Sequence, residues 1–292
     1  SEGQYFTPMP ICRFILMSMP LHALACRPAS ADFPQAIDYA CGAGHFLTEL
    51  AQQLKPLIGD EEKFLAQQRA IYGIEKEYRL SKVAKVSAFM YGQQGINVCY
   101  GDALVENHAA FPGIRDGAFD LLVANPPYSV KGFLETLPEA ERKRYELTDT
   151  VKDYESNNSI ECFFLERAKQ LLKSGGVAAI ILPSSILSNG GGTYVRAREI
   201  LLQHFDLVAI AEFGSGTFGK TGTNTVTLFL RRKPNAPETA EHYRERVAEW
   251  FAADENQPVY RDGHLIDRYA AHVGIAPADY KTLLAGVPNT TL

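Results

Sequence analysis

Apolar and polar positions follow two periods along this chain. Short apolar runs bounded by turn residues predict strands over residues 36–40, 71–74, 97–100, 119–124, 177–182, 207–213 and 225–230. Helical spacing predicts helices over 45–54, 79–91, 159–172 and 192–204, with Ser174-Gly175-Gly176 as a C-terminal stop. Strands alternating with helices from about residue 35 to 210 predict a mostly parallel sheet covered on both faces. The last two strand runs are close in sequence and should pair antiparallel at one edge. Three stretches stand apart. Residues 55–69 read as a polar insertion without regular structure. Residues 131–155 are densely charged and read either as a mobile lid or as a solvated helix. From Arg231 onward the chain turns polar and helical. The expected organisation is a domain over 1–233 and a helical extension over 234–292.

Composition narrows this picture. With 292 residues, 46% of them hydrophobic and 22% charged, the chain can bury one large α/β core plus an appendage. The apolar stretch 11–25 is broken by Arg13, Pro20 and His22, too short to span a bilayer and without a basic leader. No membrane association or signal peptide is expected. Five cysteines, scattered and without CxxC, fit reduced thiols in a cytoplasmic protein. No His/Cys group has zinc spacing, so no metal is expected. The net charge of −5 is unlike that of a stand-alone nucleic-acid binder. A basic surface would have to be local or come from another chain.

The strongest chemical signal is Asn125-Pro126-Pro127-Tyr128, which ends the fourth strand run. Both prolines fix φ, and neither has an N–H to donate. The Asn125 side chain and the turn carbonyls are therefore acceptors, and Tyr128 adds an aromatic face. Such a site can hold a planar amino group with its ring stacked above. The alternative is a strand-ending turn with a packed tyrosine. The first strand leads into Asp38-Tyr39-Ala40-Cys41-Gly42-Ala43-Gly44-His45-Phe46. Its glycines permit close ligand approach before a helix N-terminus. Leu47 stands where a nicotinamide-cofactor fingerprint needs a third glycine. Asp38 suits a positively charged ligand. Glu75, closing the second strand, is placed to accept from ribose hydroxyls, or is a solvated surface acid. Asp102, after the third, could accept from an adenine amino group, or cap its own turn. All three acids fall at the carboxyl edge of successive strands, where open parallel sheets bind ligands.

Read in order, Gln4-Tyr5-Phe6-Thr7-Pro8, the 38–46 turn, Glu75, Asp102 and Asn125-Pro126-Pro127-Tyr128 resemble the gamma group of N6-adenine DNA methyltransferases. Asn158-Ser159-Ile160-Glu161-Cys162-Phe163-Phe164 and Thr221-Gly222-Thr223-Asn224-Thr225 bring it nearest to modification subunits of type I restriction-modification systems. The resemblance covers about residues 4–233. It implies an α/β, Rossmann-like fold with a mostly parallel seven-stranded sheet, helices on both faces and an antiparallel edge strand. It implies S-adenosyl-L-methionine as cofactor and methyl transfer to N6 of adenine in DNA. Tyr5, Phe6 and Thr7 would close over the methionine part. Asp38, Cys41, Gly42, Gly44 and Phe46 would hold its amino-acid end. Glu75 would take the ribose, and Asp102 with Ala103 the adenine. Asn125 and the Pro126 carbonyl would hold the target amine beside the cofactor, and Tyr128 would stack on the flipped base. Phe218 fits the place of a second stacking aromatic, with simple packing as its alternative. Only about sixty residues follow Arg231, too few for a target-recognition domain. With the negative charge, this implies DNA as partner through a separate specificity subunit, and poor DNA methylation by the chain alone. The rival readings are a methyltransferase acting on protein glutamine or RNA adenine, and a non-catalytic S-adenosylmethionine-binding assembly subunit. A nicotinamide oxidoreductase lacks its third glycine.

Overall fold

The computed structural model describes residues 7–25, 34–214, 216–218, 223–234 and 265–284. The chain divides into two compact units, Ser1–Pro237 and Glu238–Leu292. In the second unit the described elements are two helices, α9 (Leu265–Val273) and α10 (Pro277–Leu284).

The first unit is built on seven strands: β1 (Ala36–Asp38), β2 (Ile71–Glu75), β3 (Asn97–Tyr100), β4 (Phe119–Ala124), β5 (Leu172–Pro183), β6 (Phe205–Phe213) and β7 (Thr225–Arg232). They lie in the order β3-β2-β1-β4-β5-β7-β6. The first five are parallel, and β7 runs antiparallel between β5 and β6. This is the mostly parallel sheet with an antiparallel edge that the sequence pattern predicts.

Alternation along the central strands explains why both faces are covered. In β5, Ala178, Ile180 and Leu182 join one core cluster, while Ala179 and Ile181 join the other. The first cluster takes in α7 (Ile160–Leu171) and α8 (Gly192–His204) through Phe163 and Ala197. The second takes in α1 (Met9–Met17), α2 (Leu21–Ala25), α3 (His45–Ile58), α4 (Glu61–Gln68) and α5 (Tyr78–Met90). Helix α3 lies so close to β2 that a Cβ on Gly73 would stand 2.6 Å from Leu47 Cδ1 and 2.9 Å from Cys41 Sγ. Strand order reverses beside β1, between β2 and β4, which opens a crevice at the carboxyl ends of those strands.

Three local expectations are corrected. Residues 55–69 are not irregular: α3 runs through Pro56 to Ile58, and α4 follows, capped by Asp60 accepting from Lys63 N at 2.9 Å. The third predicted helix stops at Leu171, and Ser174–Gly176 lies inside β5 at a register irregularity against β4. The positive φ of Gly175 (77°) serves that irregularity, not a helix cap. Residues 131–155 do not form a solvated helix. They fold into a short helix α6 (Glu139–Arg142) and a 3-10 turn (Glu146–Thr150), and bury Phe133, Leu134, Leu137, Tyr145 and Leu147 in the core. Their charges hold that fold together. Arg142 donates to the Leu134 and Leu137 carbonyls, and Glu146 bridges Lys169 and Arg196.

Among the described residues no helix is long and apolar enough to cross a membrane, and no group of three metal-ligating side chains occurs. The four described cysteines are free and buried; Cys26 lies outside the described residues.

Candidate active site

The crevice holds a cavity of about 430 Å³ whose lining includes Glu75, Asp102 and Asn125. A smaller one of about 30 Å³ lies between Thr7, Asp38, Gly42, His45, Phe46 and Asn125. Asn125 and Gly42 line both. The sheet edge thus brings together the acids of three strands and the asparagine of a fourth.

The parallel register does the positioning. Asp38 pairs with Gly73 and Glu75 with Tyr100, so the acids come off the strand ends in steps along one edge. Asp38 is buried, and its Oδ1 accepts from Ala40 N at 3.0 Å, closing the first bend of the glycine turn. Burial pushes its pKa up to about 8; the Ala40 N–H opposes that rise and the Glu75 carboxylate adds to it. Gly42 (φ 52°) and Gly44 (φ 86°) carry the chain into α3 through left-handed conformations closed to most side chains.

Glu75 braces two turns. One oxygen accepts from Gly42 N at 2.9 Å and the other from Glu77 N at 2.7 Å. Each carboxylate oxygen keeps a lone pair for a ligand. Burial raises its pKa against those backbone bonds. It is buried, so the solvated-surface alternative does not hold. Asp102 does cap its own turn, through Leu104 N at 2.9 Å, and it also faces the cavity. Its other oxygen meets Lys76 Nζ at 2.7 Å. Sequence reasoning passed over Lys76; its place beside Glu75 was the available signal.

At the turn after β4, the Asn125 amide donates to Thr7 Oγ1 at 3.2 Å, and the Thr7 carbonyl lies 3.0 Å from His45 Nδ1. The stretch ahead of α1 is thereby tied to both the glycine turn and the proline turn. Tyr5 and Phe6 lie outside the described residues, as do Gln4, Thr221 and Gly222. Tyr128 is buried, with its hydroxyl donating to Asn125 Oδ1 and shared with the Ile181 carbonyl at 3.2 Å. Phe218 is also buried, edge-on to Phe213 at 6.1 Å in the core cluster of α1 and α3. Neither ring is among the residues lining the two cavities. Pro127 and Ala103 line the larger cavity; Cys41 and Phe46 line the smaller. Sequence reasoning also missed the aromatic wall of Tyr39 and Phe164, locked edge-to-face at 5.1 Å with the Tyr39 hydroxyl on the Phe164 carbonyl.

An acid-lined, partly apolar crevice at a switch point suits a ligand rich in donors and positive charge, and repels a pyrophosphate. The profile of the family described as N-6 DNA Methylase matches residues 1–258. The chain belongs to that family. It is 24% identical over 246 residues to the type II restriction enzyme and methyltransferase RM.BcgI of Heyndrickxia coagulans, covering 84% of this chain and 33% of that protein. It is 27% identical over 239 residues to the methylase subunit of the type I restriction enzyme StySPI of Salmonella potsdam, covering 79% of this chain and 40% of that one. The chain therefore spans about a third to two fifths of the length of these relatives. Among solved structures, it shares the fold of a modification subunit of a putative type I restriction enzyme from Vibrio vulnificus, with a TM-score of 0.60 at 18% identity over 89% of this chain and 58% of that one. The M protein of the type I enzyme EcoKI gives a TM-score of 0.59 at 22% identity, over 80% and 46% of the two chains. A putative class I S-adenosylmethionine-dependent methyltransferase from Listeria monocytogenes gives 0.58 at 17% identity, over 81% and 63%. The family is that of N-6 DNA methylases, as the motif order implies, and the fold is the one shared with these solved structures.

Proposed function

We propose that this chain transfers a methyl group from S-adenosylmethionine to N6 of adenine in DNA, as the modification component of a restriction-modification system working with a separate specificity subunit. The observation that carries this reading is the convergence of Asp38, Glu75 and Asp102 on the crevice that Asn125 closes. The donor set fits the cofactor. Asp38 is buried where an α-ammonium would be held, Glu75 retains acceptor capacity for ribose hydroxyls, and Asp102 for an exocyclic amine. Ile74, Leu104 and Phe133 supply apolar wall, in a cavity whose size is ordinary for such a ligand.

When bound, S-adenosylmethionine supplies an electrophilic methyl group on its sulfonium sulfur. The protein's part is to make a poor nucleophile good. The adenine N6 lone pair is delocalised into the ring. Asn125 Oδ1 and the Pro126 carbonyl can each accept one N6 hydrogen, which favours a tetrahedral nitrogen and localises the lone pair. The same acceptors stabilise positive charge as it develops on N6. A carbonyl oxygen has two lone pairs, so Asn125 Oδ1 can receive the amine while Tyr128 remains bonded to it. Alignment in line with the methyl supplies most of the remaining acceleration. The net charge of −5 supports delegating DNA recognition to another chain.

The test is methyl incorporation from labelled S-adenosylmethionine into DNA, RNA and protein, with protein in excess over substrate. Transfer should go to adenine in DNA. Asn125→Ala should lower that rate by about 10²–10³-fold with cofactor affinity little changed, the cost of removing one preorganised partner of a developing charge. Transfer to RNA or protein instead, or full activity in Asn125→Ala, would overturn the reading.

A further inference from the structure

We infer that Glu161 is a positioning residue for the proline turn, acting through the backbone of Ser129. The inference rests on the methyl-transfer reading above and deepens it.

The turn has a mechanical weakness. Prolines 126 and 127 have no N–H, so neither can be held from that side by a backbone bond. The acceptors that matter, Asn125 Oδ1 and the Pro126 carbonyl, sit on this stretch, whose other ties are the side-chain bonds of Asn125 to Thr7 and of Tyr128 to Asn125 and the Ile181 carbonyl. The residue after Tyr128 is strained. Among the described residues Ser129 alone of the non-glycines has a positive φ, at 53°. An L side chain resists that conformation, so something outside the turn must maintain it.

Glu161 does so. Its Oε2 accepts from Ser129 N at 3.0 Å, across 32 residues of sequence. Its Oε1 accepts from the Tyr194 hydroxyl at 2.6 Å. Glu161 is buried, 1% exposed, in the first turn of α7, where the helix dipole favours a carboxylate. Tyr194 comes from α8. The carboxylate thus fastens the proline turn to two helices packed on the sheet. Its bonds run to Ser129 and Tyr194, and it is not among the residues lining either cavity. A buried carboxyl group with those two attachments, one of them on the strained residue directly after the motif, is explained by holding that residue in place.

The chemistry is sensitive to such a grip. A displacement of about 1 Å in an acceptor can cost on the order of 10²-fold in rate. Glu161→Ala should therefore lower single-turnover methyl transfer by about that factor, with cofactor affinity within about twofold. Glu161→Gln, which keeps an acceptor of the same shape but no charge, should fall between the two.

The deciding measurement is rescue. Glycine adopts positive φ without penalty. In a Ser129→Gly background, Glu161→Ala should cost less than about fivefold, because the backbone no longer has to be held against its preference. Amide hydrogen exchange gives a reading independent of substrate: protection at Ser129 should be lost in Glu161→Ala while the sheet stays protected. If cofactor affinity, thermal stability and rate fall together and Ser129→Gly restores nothing, Glu161 is a packing residue and the inference is wrong. Unchanged exchange at Ser129 would overturn it as well. If the unmodified protein transfers its methyl group to RNA or protein instead of DNA, the functional reading fails, and the exchange arm still decides whether Glu161 grips the turn.

Discussion

Asp38 offers a test that separates an ammonium-binding carboxylate from a merely buried one. In the free protein its pKa is pushed up to about 8, first by burial and then by the Glu75 carboxylate, against the Ala40 N–H. A free α-amino group titrates at about 7.7–8.0. Near pH 6.5, then, most of the protein holds Asp38 neutral while the ligand's amine is cationic, and forming the ion pair must expel about one proton. Near pH 9.5 the carboxylate is already charged and the amine neutral, so binding must take up about one proton. The net should cross zero around pH 8. At about pH 7 roughly a tenth of Asp38 is ionised, so affinity should be about tenfold below that of the ionised form, about 1.4 kcal/mol. The sign for stability is opposite. Native Asp38 keeps its proton up to about pH 8. The unfolded chain loses it near the ordinary carboxylate value of about 3.9. Unfolding therefore releases a proton between those two values, and the free protein loses stability as pH rises through that window. Titration calorimetry in buffers of different ionisation enthalpy counts the protons directly. Absence of proton release near pH 6.5, or its persistence in the Asp38→Asn protein, would refute the assignment.

Two substitutions probe the frame around that carboxylate. Gly73→Ala should destabilise the fold by about 1–3 kcal/mol, because its Cβ meets the Leu47 side chain and Cys41 Sγ and forces α3 off β2; an unchanged urea midpoint would show that the contact relaxes freely. Tyr128→Phe removes the bonds to Asn125 Oδ1 and the Ile181 carbonyl but keeps the buried ring, so DNA methylation should fall less than tenfold, whereas Tyr128→Ala also empties a buried site beside Asn125 and should destabilise the fold by about 3–5 kcal/mol. Equal damage from both would assign the role of Tyr128 to its hydroxyl.

Much of the architecture is written locally. Strand and helix periods reflect which faces are buried, so the seven strand runs and their mostly parallel pairing can be read from apolar runs and spacing, while the strand order cannot. The acids at the strand ends follow from the same logic, since a parallel sheet places every carboxyl end on one edge. The proline turn is covalently constrained, and its polarity needs no tertiary context. Residues 131–155 defeat such a reading because charge density hides the spacing of Phe133, Leu134, Leu137, Tyr145 and Leu147, whose burial depends on guanidinium groups finding carbonyls and acids elsewhere.

The chain's order of residues therefore determined which groups reach the crevice; only the folded molecule decided which of them are already engaged. Lys76 on Asp102, Tyr128 on Asn125, the inward packing of Phe218 and the hold of Glu161 on Ser129 join residues between 3 and 32 positions apart, or rings whose direction no motif records. The physical reason is that periodicity encodes burial, a property of single positions. A hydrogen bond or a ring contact depends on the distance and direction between two side chains, and those exist only once the sheet has set its register and the helices have packed upon it.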